Sequence, residues 1–232
     1  MDQQPSPIPK PRRPVYSVSG LMTYTSCPLQ YYYAFVLGYP PPRSPAMATG
    51  VSIHKLIADH LRGRLPLDRD LDPKLTEMID HFRRSRFNLS PVATEKSFRL
   101  PLEQGDVRGR IDLVLPNPAG GLEIVDFKSG DRQDRASLRD RLQLPLYALA
   151  AGQLYGVQPG ELAFTYYFVR HDAEERFDFS PEQAQQLESR VDAIMADIDA
   201  GRFQPAADCD CYACRRERRY PRRTGLVSSE VS

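Results

Sequence analysis

The most constraining feature of this 232-residue sequence is the stretch from Gly109 to Lys128. Two runs rich in Val, Ile and Leu, Val107–Leu115 and Leu122–Phe127, flank a segment made of proline, asparagine, alanine and glycine. Apolar β-branched runs bounded by such residues are typical of two strands joined by a short connection. The stretch therefore predicts a β-hairpin that any fold of this chain has to contain.

Three charged residues lie on this hydrophobic hairpin. Asp112 is on the first strand, and Asp126 and Lys128 are at the end of the second. Residues two apart in a strand project to the same face, so Asp126 and Lys128 point together. Charges on an apolar hairpin are costly unless they are paired or bound to a cation. These residues alone leave two interpretations open: a metal-dependent site that cleaves phosphodiester bonds, or an ordinary surface pair beside a solvated aspartate.

Length and composition indicate a soluble globular protein with one domain over residues 15–220. Hydrophobic residues make up 41% and charged residues 26% of the chain, which is compatible with a sizeable core. No apolar run approaches the roughly 18 residues that a membrane span needs. The polar, proline-rich start has no apolar signal segment, so we expect a cytoplasmic protein with no membrane partner. Residues 1–14 are expected to be a disordered basic arm and residues 221–232 a disordered tail.

Hydrophobic periodicity predicts an α/β (α+β) fold with a central mixed sheet flanked by helices. Ser17 or Ser19 can cap a helix that ends at Cys27-Pro28, and the aromatic-rich Leu29–Leu37 continues as a second helix. Pro145 should kink the predicted helix Asp134–Leu154 or end its first part. The remaining predicted elements are the helices Met47–Leu61, Asp72–Phe87 and Pro181–Ala200 and the strands Thr94–Leu102, Glu161–Arg170 and Glu175–Phe179.

The four cysteines are unevenly placed along the chain. Cys27 stands alone, whereas Cys209, Cys211 and Cys214 crowd together near the end. Without an export signal a disulfide framework is not expected, so this spacing favours ligation of a metal ion or cluster.

Five motifs, taken in order, resemble those of the PD-(D/E)XK nuclease superfamily, in particular its RecB-like and AddB-like exonuclease branch. Asp126-Phe127-Lys128 resembles the D-x-K variant of the defining signature, and Gly109-Arg110-Ile111-Asp112 resembles the motif with the first acidic ligand. The resemblance extends from Tyr16 to about Tyr220 and implies a restriction-endonuclease-like core. The other matching segments are Ser17–Pro28 with its cysteine, Gly50–His54, and Gln143–Tyr147 with the pattern Gln-x-x-x-Tyr.

The resemblance implies a metal-dependent hydrolytic site. His54, Asp112 and Asp126, with the backbone carbonyl of Phe127, would hold Mg²⁺ or Mn²⁺, which are hard cations that prefer oxygen ligands. Such an ion polarises the scissile phosphate and lowers the pKa of the attacking water.

Four further residues are assigned around this site. The resemblance implies that Lys128 holds or activates the water, or neutralises charge in the transition state. Gln143 and Tyr147, four apart on one helix face, would orient the DNA backbone or the lysine. Packing of this helix face on the sheet, and of Tyr147 in particular, is the alternative. Glu95 is either a supporting acidic residue or a surface charge at the start of a strand.

In the AddB-like branch, one early and three late cysteines hold a 4Fe–4S cluster that joins the two chain ends. Cys27, Cys211 and Cys214 fit that scheme, but the position of the family's last cysteine is Tyr220 here. Cys209 would then supply the fourth ligand. The alternatives are a degenerate cluster or a tetrahedral Zn²⁺ site.

An arginine run follows the last cysteine. Arg215, Arg216, Arg218 and Arg219 would contact nucleic-acid phosphates if they adjoin a substrate site, and would otherwise form a solvated surface. Because the formal net charge is only +1, any affinity for nucleic acid has to come from a local basic face of this kind.

The resulting hypothesis is a metal-dependent DNA exonuclease that acts on single-stranded DNA or duplex ends in repair or recombination. The sequence has no Walker A pattern and hence no motor of its own, so a helicase partner is expected by resemblance. Two alternatives stay open. One is a non-catalytic module of nuclease fold that binds DNA or a helicase. The other is an RNA-directed or CRISPR-adaptation-type nuclease of the same fold.

Overall fold

A computed structural model describes residues 13–42, 44–64 and 71–220 of the protein. The first strand and helices are β1 (Val15–Ser17), α1 (Val18–Ser26) and α2 (Pro28–Tyr31), followed by a π-helical turn at Tyr32–Val36. Next come α3 (Pro45–Leu61), α4 (Pro73–Arg84), β2 (Ala93–Pro101), β3 (Asp106–Pro116) and β4 (Leu122–Lys128). The remaining elements are α5 (Arg135–Arg139), α6 (Gln143–Tyr155), β5 (Leu162–Phe168), β6 (Ala173–Phe179), α7 (Pro181–Asp199) and α8 (Tyr212–Arg219).

The long strand β3 organises the sheet. Along one edge it pairs antiparallel with β2, from Asp106 to Val114. Its other edge is shared: β1 pairs parallel with the first residues of β3, and β4 pairs antiparallel with the last ones. β4 then pairs parallel with β5, and β5 antiparallel with β6. The predicted α/β fold with a central mixed sheet and flanking helices is confirmed.

Helices cover both faces of this sheet because its strands are apolar on both sides. The larger core packs α1, α6 and α7 against one face, where Ile124 and Tyr166 are fully buried. The smaller core packs α3 and α4 against the other face, where Val125 and Phe127 are buried. A third small cluster joins Cys27 to α8, next to α2. Strands buried on both faces read as continuous apolar runs, which is why the hairpin stood out in the sequence.

Several predicted boundaries are wrong for identifiable reasons. The predicted helix Asp134–Leu154 is two helices, and the break at residues 140–142 precedes Pro145. Pro145 lies in the first turn of α6, where a missing N–H costs nothing because that group has no partner within the helix. The strand β1 was missed, since its three residues pair with a segment about ninety residues away. The helix α8 and the π-helical turn within the predicted helix Leu29–Leu37 were not expected either.

The predicted disordered ends fall almost entirely outside the described residues. Residues 1–12 and 221–232 lie outside the described residues. Arg13, inside the predicted arm, is described, and its Nε lies 2.9 Å from Asp106 Oδ1. The carbonyl of Pro14 accepts a hydrogen bond from the Asp106 N–H.

Candidate active site and cysteine centre

The β3–β4 hairpin brings the two predicted aspartates to adjacent strands. Leu113 pairs with Val125, so Asp112 and Asp126 lie opposite each other one step beyond the last paired residues. Both side chains are buried, with 8% of Asp112 and 1% of Asp126 exposed. The N–H of Phe127 donates to Asp112 Oδ2 over 3.1 Å and fixes the orientation of that carboxylate.

His54, on α3, contacts the Asp112 carboxylate from the sheet face that α3 and α4 cover. Its Nδ1 lies 3.2 Å from Asp112 Oδ2, and its ring packs edge-on against Phe127 with centroids 5.9 Å apart. Burial alone would lower the pKa of the His54 imidazole, but contact with Asp112 and the charge of Asp126 outweigh it and raise that pKa. The imidazole is therefore held at a strongly negative point of the site.

Glu95, on β2, completes a group of three possible metal ligands. One ligand atom each from His54, Glu95 and Asp112 lie within 4.8 Å of one another. Burial raises the pKa of the Glu95 carboxyl; Arg110 opposes this and Asp112 adds to it. Arg110 Nε lies 2.7 Å from Glu95 Oε2 and was not singled out from the sequence. Ordinary strand alternation places a residue two positions before Asp112 on the same face, and this was the available signal.

Asp126 is instead engaged with Lys128 and Gln143. Lys128 Nζ lies 2.6 Å from Asp126 Oδ2, an oxygen with no well-aligned hydrogen bond among the described residues. Gln143 Nε2 donates to Asp126 Oδ1 over 2.7 Å, while Gln143 Oε1 accepts from Lys128 Nζ over 2.8 Å. Burial raises the pKa of Asp126; Lys128 opposes this, and Asp112 adds to it. The first residue of α6 thus links both ends of the Asp-x-Lys segment.

Tyr147 adds one contact to this network. Its hydroxyl accepts from Gln143 Nε2 over 3.2 Å, and its ring packs edge-on against Phe98 with centroids 5.7 Å apart. Burial raises the pKa of Tyr147, and the charge of Asp126 adds to it. Tyr147 therefore combines packing on the sheet with a link to the site.

This donor set suits a hard divalent cation. An imidazole nitrogen and carboxylate oxygens converge at one point, and the adjacent Asp126 Oδ2 is a buried acceptor beside the Lys128 ammonium. His54 and Asp112 come together as predicted, but Glu95 stands in the group of three where Asp126 was expected. The predicted ligand roles of His54, Asp112, Asp126 and the Phe127 carbonyl all stay predictions.

All four cysteines meet at a second centre. Their Sγ atoms lie within 4.8 Å of one another, and Cys27 Sγ is 3.6 Å from Cys214 Sγ. Burial would raise the pKa of Cys27, but hydrogen bonds from the backbone of Ala206 and Gln30 outweigh it and lower that pKa to about 7. Cys209 is one of the four grouped cysteines, and its predicted role as the fourth ligand stays a prediction.

The sulfur spacing tests which group would fit this centre. Thiolates that share one zinc at about 2.3 Å lie about 3.8 Å apart in a tetrahedron. The thiolates of a 4Fe–4S cubane each bind a different iron and lie farther apart. The observed spacing fits a single tetrahedral ion better than a cubane.

The arginine run forms the helix α8, and its charges are partly compensated. Arg215 Nη1 lies 3.1 Å from Asp210 Oδ2, and Arg218 pairs with the same carboxylate. The Arg216 guanidinium lies 5.7 Å from the centroid of the Tyr39 ring, and that of Arg219 lies 5.5 Å from the Tyr220 ring. Contact with phosphates stays a prediction for all four.

Among the described residues, no helix has both the length and the apolar character needed to cross a membrane.

Comparisons with known proteins agree with this architecture. The sequence model of a family described as the PD-(D/E)XK nuclease superfamily matches residues 15–87 and 67–219. A crystal structure from Eubacterium rectale, provisionally described as an exonuclease, superposes with a TM-score of 0.59, covering 94% of this chain and 91% of that chain at 15% identity. The crystal structure of SSO0001 matches with a TM-score of 0.47 over 82% of this chain and 78% of that chain, also at 15% identity. No curated protein matches the chain significantly.

Proposed function

The chain belongs to the PD-(D/E)XK nuclease superfamily, and we propose that it is a metal-dependent exonuclease acting on single-stranded DNA or duplex ends in repair or recombination. The observation that carries the proposal is the convergence of His54, Glu95 and Asp112 beside the linked Asp126–Lys128 pair. The RecB-like motif order and the provisional exonuclease description of the Eubacterium rectale structure support the exonuclease assignment.

Each residue contributes a distinct function to this reaction. His54, Glu95 and Asp112, with Asp126 beside them, would hold Mg²⁺ or Mn²⁺, which supplies charge to polarise the phosphate and to acidify a water molecule. The Lys128 ammonium would stabilise negative charge that develops on the phosphate. Gln143 fixes this ammonium against Asp126, so the lysine does not have to be reoriented during the reaction.

The decisive assay compares cleavage of substrates that differ in whether they have free ends, are single-stranded or double-stranded, and are DNA or RNA. The purified protein is incubated with end-labelled linear single-stranded DNA, circular single-stranded DNA, linear duplex and RNA, in Mn²⁺, in Mg²⁺ or in chelator. We expect cation-dependent loss of label from linear DNA and intact circles. Cleavage of circles would refute the exonuclease assignment, preference for RNA would favour the RNA-directed alternative, and no cleavage in any cation would favour the non-catalytic binding module.

Matched variants connect this activity to the site. Lys128→Met and Asp112→Asn should abolish cleavage and keep the parent's circular dichroism spectrum. Lys74→Met on α4, at an exposed residue, and Asp80→Asn, at a half-buried one, serve as controls for the same chemical changes. Parent-like cleavage by Lys128→Met would show that the reaction occurs elsewhere.

We also infer that the four cysteines bind a structural metal centre. The 4Fe–4S cluster implied by resemblance stays a prediction, and the sulfur spacing supports its alternative, Zn²⁺. Protein purified without oxygen is analysed for iron, acid-labile sulfide and zinc, and its visible spectrum is recorded. About one zinc per chain without iron would establish the zinc site, and four irons with four sulfides and a brown colour would establish the cluster. A protein with neither metal would refute a metal centre.

A helicase partner remains part of the proposal on the strength of the resemblance. It is tested by whether a helicase is recovered with the protein from the native host and stimulates cleavage of long duplexes.

A further inference from the structure

A groove of about 270 Å³ lies between the start of α6, the strands β5 and β6, and α7. Its floor is apolar, and its most prominent polar groups are three guanidinium groups along the rim. The floor is formed mainly by Leu142, Pro145, Phe164, Phe177 and Phe179, and the rim by Arg139, Arg141 and Arg190.

The rim is positively charged without local compensation. None of the residues that line the groove is acidic. Among the described residues, no carboxylate lies within ion-pair distance of Arg139, Arg141 or Arg190, and Arg190 only donates to the Asp140 carbonyl over 3.2 Å. Other arginines near the sheet, such as Arg86 and Arg135, are paired with glutamates. An uncompensated cluster of this kind attracts an anion.

The groove lies close to the candidate active site along β5 and the start of α6. Phe164 on its floor and Tyr166 lie two residues apart on the same face of β5, and the Tyr166 ring lies 5.5 Å from Lys128 Nζ. Arg141 precedes Gln143, which contacts both Asp126 and Lys128, by two residues. A chain of phosphates that passes the Lys128 ammonium can therefore extend along this rim.

We propose that this groove binds the nucleotide of single-stranded DNA that neighbours the scissile phosphate. The arginines would pair with its phosphates, and the apolar floor would accept its base or sugar. At about 270 Å³ the groove is small, so it takes one such unit and not several. The floor rings are almost fully buried and offer little area for stacking, so the arginines would supply most of the binding. This inference rests on the proposed function and names where its substrate lies.

The test measures binding in the full chain without cleavage. The affinity for a fluorescent 15-nucleotide single strand is followed by anisotropy in chelator over a series of salt concentrations. Arg139→Gln with Arg190→Gln should weaken binding about tenfold and flatten the plot of log affinity against log salt by about 1.4, or about 0.7 for each phosphate that the variant no longer neutralises. Arg141 is left unchanged because it adjoins Gln143.

The control removes the same charge from the opposite sheet face. Lys74→Gln with Arg84→Gln on α4 should leave the affinity and the salt slope as in the parent. Arg139→Lys with Arg190→Lys should restore most of the binding, which excludes a folding defect as the cause. If the groove variant binds like the α4 variant, the inference is wrong even when the parent cleaves DNA. If the variant loses affinity but the parent does not cleave, the groove stands and the proposed enzyme activity fails.

Discussion

Glu95 faces Asp112 across the β2–β3 ladder while its backbone adopts the left-handed region, with φ of +50°. The pairs Thr94–Leu113 and Lys96–Ile111 on either side fix this register. A left-handed residue other than glycine costs on the order of 1–3 kcal/mol and persists where the surroundings enforce it, often at functional sites. The strain lies at the edge of the proposed metal site, where it turns a carboxylate toward His54.

This relationship predicts that a substitution at position 95 can lower metal affinity without lowering the stability of the protein. In Glu95→Asn the left-handed conformation is tolerated better, whereas the carboxylate is lost. We expect Mn²⁺ affinity, measured by calorimetry, to fall at least about tenfold. The melting temperature should stay equal or rise slightly, because strain relief of about 1 kcal/mol offsets the loss of the ion pair with the exposed Arg110 guanidinium. A melting temperature several degrees lower with unchanged Mn²⁺ affinity would show that Glu95 is purely structural.

Gln143 and Tyr147 should differ in their effect on cleavage. Gln143→Leu removes both hydrogen bonds that hold Lys128 and Asp126, so we expect kcat to fall about 100-fold while KM stays close to that of the parent. Tyr147→Phe removes one long hydrogen bond to Gln143, of about 1 kcal/mol, so its kcat should fall no more than about fivefold. Steady-state kinetics on linear single-stranded DNA measures both. Equal losses in the two variants, or a change confined to KM in Gln143→Leu, would contradict the positioning role of Gln143.

Buried Glu123 predicts an acid-sensitive part of the stability. Burial would raise its pKa, but two 2.8 Å hydrogen bonds from Arg86 and one from Thr165 outweigh it and hold that pKa below its usual value. The stabilisation is thus fully present above the usual glutamate pKa of about 4.3 and is lost as the pH falls through the lowered pKa of the folded state.

Glu123→Gln tests this linkage by chemical denaturation at a series of pH values. The variant should be less stable than the parent at pH 7, by about 2 kcal/mol. The difference should shrink as the pH is lowered below about 4. Glu174→Gln, which removes an exposed partner of Arg86, is the control and should change stability by no more than about 1 kcal/mol. A constant difference at every pH would exclude the ionised form of Glu123 as the source.

Cys27→Ser should destabilise the protein by breaking the link between distant chain segments. A structural metal contributes its binding free energy to folding. A loss of about 3 kcal/mol would lower the melting temperature by about 6–12 °C. Chelation should lower the melting temperature of the parent by a similar amount and leave that of Cys27→Ser unchanged. A further drop in the melting temperature of the variant when chelator is added would indicate that the remaining three thiolates still hold the ion.

The arginines of α8 should contribute unequally to DNA binding. Arg215 and Arg218 are already paired with Asp210, whereas Arg216 and Arg219 contact aromatic rings. Replacing Arg216 and Arg219 by glutamine should therefore reduce the salt slope of single-strand binding more than replacing Arg215 and Arg218. Anisotropy titrations of the two double variants measure this. Equal slopes in both variants and the parent would identify α8 as a solvated surface.

The parts of the structure that could be predicted are those that depend on neighbouring residues or recurring motifs. The hairpin strands followed from their apolar runs, and the approach of His54 to Asp112 followed from the motif order. Glu95 could not be placed, because its left-handed backbone conformation depends on register against β3. β1 depends on pairing with residues 106–108, and local periodicity carries no information about such distant partners. The break in the predicted helix was placed at Pro145, which was wrong because a proline that disrupts a helix interior is tolerated in the first turn.

The meeting of Cys27 with Cys214 constrains when the cysteine centre can form. The two thiols are 187 positions apart in the sequence. At about 5–20 residues per second, a ribosome needs roughly 10–40 s after translating the first to reach the second. During this interval the early thiol has no partner sulfur and is open to oxidation or to stray copper. If the proposed ion is bound, its loading is one of the last steps of maturation. The yield of intact protein should then depend on how fast translation is compared with oxidation of the nascent chain.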